Sequence, residues 1–168
     1  MSNYKRMYVP GGCYFFTLVT YQRNPVFSEE ANIRALRNAF SKVRSNKPFK
    51  LDAIVVLPDH LHCLMRLPDG DMDYSSRWRE IKKSVTRTLT QAQGTPVWQR
   101  RFWEHLVRDE DDWRRHMDYI HYNPVKHGLV ERPADWRWSS FRKMVQRGWY
   151  DLDWGSAEPN PIAGMDFE

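Results

Sequence analysis

Ile54-Val55-Val56-Leu57-Pro58-Asp59-His60-Leu61-His62-Cys63-Leu64-Met65-Arg66-Leu67 is the stretch that decides the fold. A run of β-branched and apolar residues meets Pro58-Asp59, a tight connection, and a second apolar run follows. The pattern predicts a hairpin of two strands, Leu51 to Leu57 and His60 to Leu67. Strand side chains alternate faces, so His60 and His62 share one face while Leu61, Cys63 and Met65 take the other. Two adjacent imidazoles are half of a divalent-metal site. The bland alternative, surface or hydrogen-bonded core histidines, stands until other residues complete the site.

Working outward, Gly11-Gly12 breaks the chain before Cys13 to Thr20, whose aromatic and β-branched residues predict a first strand. Ser28 is placed to cap a helix, with Glu29 and Glu30 at the positive end of its dipole. Ile33, Leu36, Phe40 and Val43 recur at the spacing of a helix packed on a sheet. Beyond the hairpin, Pro68-Asp69-Gly70-Asp71 forms a loop, and Ser75 or Ser76 opens a second helix with Trp78, Ile81, Val85 and Leu89 on its core side. Gln91 to Pro96 is a loop, and Phe102 to Val107 a short fourth strand. The order is βαββαβ, an α+β, ferredoxin-like antiparallel sheet with helices on one face. In that topology the first and third strands are central, so the His-x-His strand is central.

Asp109-Glu110-Asp111-Asp112 starts a third helix that runs to about Asn123, where Pro124 discourages continuation. Trp136 to Arg147 contains an extra C-terminal helix ended by Gly148. Residues 1–150 therefore make one domain. Residues 151–168 carry five acids and no Lys or Arg, and read as an acidic, flexible tail.

The 168 residues carry 26 Lys and Arg against 21 Asp and Glu, a net charge of +5, which points to an acidic partner with nucleic acid foremost. Two cysteines exclude a disulfide framework and a Cys-type zinc site. No run reaches the length of a membrane span and no signal-peptide core follows Met1, so a cytoplasmic protein is expected. Arg79, Lys83 and Arg87 recur every four residues beside Arg77 and Lys82, with Glu80 the only acid among them. Such a stripe is either a solvated face or a phosphate-facing one. Trp98 to Trp103 interleaves rings and cations. Arg100 and Arg101 are candidates for the DNA backbone, and Trp103 either stacks on a base or packs the sheet.

On a helical wheel of about 100° per residue, Trp113, Met117 and Ile120 cluster on the buried side of the third helix. Tyr119 and Asn123, one turn apart, lie on the edge of that side, and Tyr122 points to solvent. If this edge faces His60 and His62, two imidazoles and the Asn123 amide oxygen leave open positions on a Mg²⁺ or Mn²⁺. Tyr119 is then placed to attack a phosphorus. Its phenol, with an ordinary pKa near 10, needs the metal's charge or a base that the sequence does not identify.

Four segments resemble the REP-associated tyrosine transposases, bacterial members of the HUH single-strand transposase superfamily. They are Val55 to Cys63 (VVLPDHLHC), Ser75 to Lys83 (SSRWREIKK), Arg101 to His105 (RFWEH) and Asp118 to Gly128 (DYIHYNPVKHG). The likeness runs to about Trp154. It implies His60 and His62 as the HUH pair, Tyr119 as the nucleophile and Asn123 as the polar residue completing the metal site. It also implies cleavage and joining of single-stranded DNA at palindromic hairpins with a 5′ tetranucleotide, through a 5′-phosphotyrosine, by a monomer acting in cis. Insertion-sequence relatives carry Gln where Asn123 stands here. Arg77, Arg79, Lys82, Lys83, Arg87, Arg100, Arg101 and Lys126 are the candidates for holding the DNA backbone. Two alternatives remain: a non-catalytic hairpin-binding protein with a dormant site, and a metallohydrolase using water, for which Asp59 is the one nearby acid.

Overall fold

The computed structural model describes residues 5–89 and 94–168; the first four residues and the first half of the predicted Gln91–Pro96 loop lie outside the described residues. Four strands, β1 (Cys13–Val19), β2 (Lys50–Val56), β3 (His60–Arg66) and β4 (Trp103–Leu106), form one antiparallel sheet in the order β2-β3-β1-β4. The predicted hairpin is β2–β3, and β1 and β3 are the central strands as the ferredoxin-like order requires. Helices α1 (Glu30–Asn46) and α2 (Tyr74–Leu89) cover one face. There Ile33, Leu36, Phe40, Val43, Trp78, Ile81 and Val85 pack on Phe16, Leu18, Leu61, Cys63 and Met65.

Packing fixes α1 more than capping does. Burying each of its four large apolar side chains contributes about 1.5–3 kcal/mol, whereas Ser28 ends a short 3₁₀ turn and α1 begins at Glu30 with no side-chain cap. The cap of α2 is Asp73, not Ser75 or Ser76. Its carboxylate accepts from the Ser76 amide at 3.0 Å and the Ser76 hydroxyl at 2.6 Å.

The opposite face is not open. Helix α3 (Glu110–Lys126) lies across it, with Met117, Tyr119 and Ile120 against Phe15, Val55 and Leu64, and α4 (Phe141–Gln146) closes one end. Asp109 caps α3 by accepting from the Asp112 amide at 2.8 Å. Pro124 sits inside α3 rather than ending it. In the last turn the cost is one lost bond, and the chain leaves through Gly128 at a φ of +68°.

The acidic segment beyond Asp151 is laid along α3 rather than hanging loose. Ile162 is buried, and Phe167 packs among Phe15, His116 and Tyr119 at centroid distances of 5.3, 5.1 and 5.0 Å. Its apolar residues, sparse as they are, fall where α3 leaves sheet surface uncovered. No helix among the described residues is long and apolar enough to cross a membrane.

Candidate active site

The period of β3 delivers His60 and His62 to the α3 face, where both are buried with ring centroids 4.9 Å apart. Each is oriented from behind. Asp59 Oδ1 lies 2.6 Å from His60 Nδ1, and a carboxylate only accepts, so Nδ1 carries a proton and the ring turns its Nε2 to the site. Burial alone would raise the Asp59 carboxyl, but the hydrogen bond from His60 and the Arg23 guanidinium 3.3 Å away hold it below its usual value. Thr17 Oγ1, on β1, donates to the Phe167 carbonyl at 3.0 Å and so accepts from His62 Nδ1 at 2.8 Å. Burial pushes the His62 imidazole down to about 4, so at neutral pH its Nε2 is a bare lone pair.

Tyr119 and Asn123 come to the same place from α3, as one helical turn requires. Tyr119 is 2 % exposed, more buried than the edge of a helical wheel implies, with its ring centroid 5.3 Å from that of His62. Its hydroxyl lies 3.2 Å from Lys126 Nζ, which donates to it. Lys126, a DNA-backbone candidate on sequence grounds, therefore points at the hydroxyl. Burial raises the Tyr119 phenol above its ordinary value, and Lys126 works against that rise.

One carboxylate oxygen sits at the centre of the group. Oε1 of Glu168 accepts from the Tyr119 hydroxyl at 3.1 Å and from Asn123 Nδ2 at 3.2 Å, and stands 3.5 Å from His60 Nε2 and 3.4 Å from His62 Nε2. His127 Nε2 holds the other oxygen at 2.7 Å. The Glu168 side chain is only 10 % exposed. Burial would raise its carboxyl, yet the hydrogen bond from His127 holds it below the usual carboxylate range. Sequence reasoning missed Glu168, His127 and Thr17. His127 follows Asn123 by one further helical turn at the end of α3, a spacing that could have found it, whereas Glu168 and Thr17 meet the site only through tertiary packing.

The donor set fits a divalent cation. His60 Nε2 and Asn123 Oδ1 are buried without a hydrogen-bond partner, and His60, His62 and Glu168 offer ligand atoms within 4.8 Å of one another. Asn123 turns its amide nitrogen toward Glu168; a half-turn of the carboxamide would present Oδ1 there instead.

The other candidates separate into groups. Lys82, Lys83, Arg87 and Arg100 surround a surface cavity of about 370 Å³. Arg79 and Arg101 are exposed outside it. Trp103 is 44 % exposed and pairs with Thr17, so its ring shares the face of His62. Arg77 is a correction. It is buried, and its guanidinium is spent on Asp71 and on the carbonyls of Lys47, Pro48 and Asp73, which leaves it no access to a phosphate.

The model of the IS200-like transposase family matches residues 9–123. The chain is 46 % identical to the REP-associated tyrosine transposase of Escherichia coli K12 over 98 % of this chain and 97 % of that one. A solved structure of a REP-associated tyrosine transposase bound to a REP hairpin superposes with a TM-score of 0.85 at 44 % identity, covering 96 % of each chain.

Proposed function

The chain belongs to the IS200-like transposases, in the REP-associated tyrosine transposase branch, and on that premise we propose that it cleaves and rejoins single-stranded DNA at REP-type hairpins with Tyr119 as nucleophile. One observation carries the reading. The Tyr119 hydroxyl, both Nε2 atoms and the Asn123 amide surround a single anionic oxygen at 3.1–3.5 Å. That carboxylate oxygen stands where an oxygen of the scissile phosphate would be held.

In the proposed step the Tyr119 phenolic oxygen bonds to phosphorus as the bond from phosphorus to the 3′ oxygen breaks. The phenol gives up its proton, the 3′ oxygen leaves as a hydroxyl, and the 5′ side stays as a 5′-phosphotyrosine. Rejoining is the reverse attack by a 3′ hydroxyl. Lys126 stabilises the charge that develops on the phenol oxygen. Asp59 and Thr17 fix both rings so that each Nε2 faces the site. His60, His62 and Asn123 are the residues to hold a Mg²⁺ or Mn²⁺, which when bound polarises the phosphate. Trp103 offers a stacking surface on the same face, and Lys82, Lys83, Arg87 and Arg100 a phosphate-binding shelf. Because nucleophile and imidazoles meet within one chain, the reading is of a monomer acting in cis inside the bacterial cell, on a hairpin with a 5′ tetranucleotide.

Glu168 favours a second reading, a hairpin-binding protein whose site is dormant. A labelled single-stranded hairpin oligonucleotide, incubated with Mg²⁺, Mn²⁺ or EDTA, separates the two. The proposal expects metal-dependent cleavage with a covalent adduct. Binding without cleavage in any metal supports dormancy, and cleavage without an adduct indicates attack by water.

A further inference from the structure

His127 stands just past the end of α3, and the proposed step gives it no part. The backbone places it one turn beyond Asn123: its amide donates to the Asn123 carbonyl at 3.0 Å, and Gly128 then turns the chain away at a φ of +68°. Its ring stands edge-on to that of His60, with centroids 5.1 Å apart. Its side chain is 32 % exposed against 2 % for His60, so it lies at the mouth of the site where the others lie inside.

The Glu168 carboxylate marks what lies within reach of this ring. Oε1 is shared by the Tyr119 hydroxyl, the Asn123 amide and both HUH imidazoles. His127 Nε2 lies 2.7 Å from Oε2 and 2.8 Å from Oε1. A carboxylate only accepts, so this Nε2 carries a proton and donates it. A phosphodiester has the same pattern as the carboxylate, one negative charge spread over two oxygens. Two plainer roles fit His127 less well. A metal ligand must present a bare nitrogen, and the mutually close ligand atoms here are those of His60, His62 and Glu168, without His127. A clamp for the C-terminal segment would repeat holds that the segment already has. The Phe167 amide donates to the Tyr119 hydroxyl at 3.2 Å, and its carbonyl accepts from Thr17 at 3.0 Å.

We propose that His127 is a catalytic residue whose Nε2–H holds the non-bridging oxygen of the scissile phosphate that points away from the metal ligands. This rests on the reading of Tyr119 as nucleophile on a DNA hairpin. No proton moves in this contact. The hydrogen bond strengthens as negative charge gathers on the non-bridging oxygens during transfer. Lys126 faces the attacking oxygen and His127 the phosphate, so consecutive residues serve different atoms of one step.

The test is single-turnover adduct formation in Mn²⁺ by the Glu168→Ala protein, which lacks the competing carboxylate. Three hairpin probes are used: one all-oxygen, and the two diastereomers of a single phosphorothioate at the bond cleaved in the first. Each diastereomer puts sulfur, a weak acceptor, in place of one non-bridging oxygen. Adding His127→Ala should slow the all-oxygen probe by about 10- to 100-fold, the worth of one hydrogen bond to a charged group. His127→Gln keeps an N–H donor and should recover part of that rate. For one diastereomer the His127→Ala penalty should shrink to about threefold or less, because sulfur has already weakened the same bond. For the other it should persist in full. An unchanged or faster rate without His127, the result for a mere clamp, would overturn the proposal. So would an equal penalty on all three probes, the result for a residue that only props the helix. No adduct from the Glu168→Ala protein on the all-oxygen probe would overturn the Tyr119 reading beneath it.

Discussion

The hydroxyl of Tyr119 donates to Oε1 of Glu168 across 3.1 Å, and that oxygen also lies within 3.5 Å of both imidazole Nε2 atoms. A phosphate oxygen and this carboxylate oxygen cannot share the position. Glu168→Ala should therefore raise the rate of adduct formation, by about tenfold if one charge-assisted contact of roughly 1.5 kcal/mol holds the segment in place. Single-turnover assays on wild type and variant measure this. Equal rates would mean that the carboxylate leaves without cost.

Lys126 Nζ lies 3.2 Å from the same hydroxyl. Lys126→Met should slow adduct formation by about 10- to 100-fold, the worth of one hydrogen bond from a charged group, while Lys126→Arg keeps part of the rate. Hairpin affinity should change far less than rate. A loss of affinity equal to the loss of rate would return Lys126 to the DNA-backbone role that sequence composition suggests.

Arg77 and Lys83 lie on one helix and should behave oppositely. Arg77→Ala removes a buried side chain and leaves three carbonyls and the partly exposed Asp71 without their partner, and should cost about 1–3 kcal/mol of stability, the range for leaving buried polar groups unsatisfied. Lys83→Ala should leave the melting temperature unchanged and weaken DNA binding in a salt-dependent way. Thermal melts and salt titrations on both variants check the pair.

This contrast shows what the sequence carries and what it does not. Period-two alternation through His60 and His62 placed both imidazoles on one face, and one turn of helix placed Asn123 beside Tyr119. Both are local geometry, so both were legible. Arg77 and Arg79 are alike in sequence. Their difference is made by Asp71 and the carbonyls of residues 47 and 48, which arrive from elsewhere in the chain. Glu168 was unreadable for the same reason. It acts through Phe167, whose place among Phe15, His116 and Tyr119 exists only once α3 lies across the sheet. Pro124 deceived because its effect depends on how many turns remain, and only the last was left.

Burial holds the imidazoles of His62 and His121 down to about 4 and about 3. The unfolded chain, with ordinary values near 6.5, binds more protons across that window. Stability contributed by these groups is thus full above about pH 6.5 and is lost as pH falls toward 3, at up to about 1.4 kcal/mol per pH unit per proton. Denaturant melts of the metal-free protein from pH 7.5 to 4 should show a steady fall. His121→Gln should be less stable at pH 7, through its lost bonds to Ser140 and Tyr150, but should show a shallower fall. Parallel curves would assign the acid sensitivity to other groups.

The most direct test is mass spectrometry of the protein after reaction with a hairpin oligonucleotide in Mn²⁺ or Mg²⁺. A nucleotide-bearing peptide is expected with the modification on Tyr119, absent from Tyr119→Phe, which should still bind the hairpin. A modification on another residue, or undiminished adduct from Tyr119→Phe, would contradict the account.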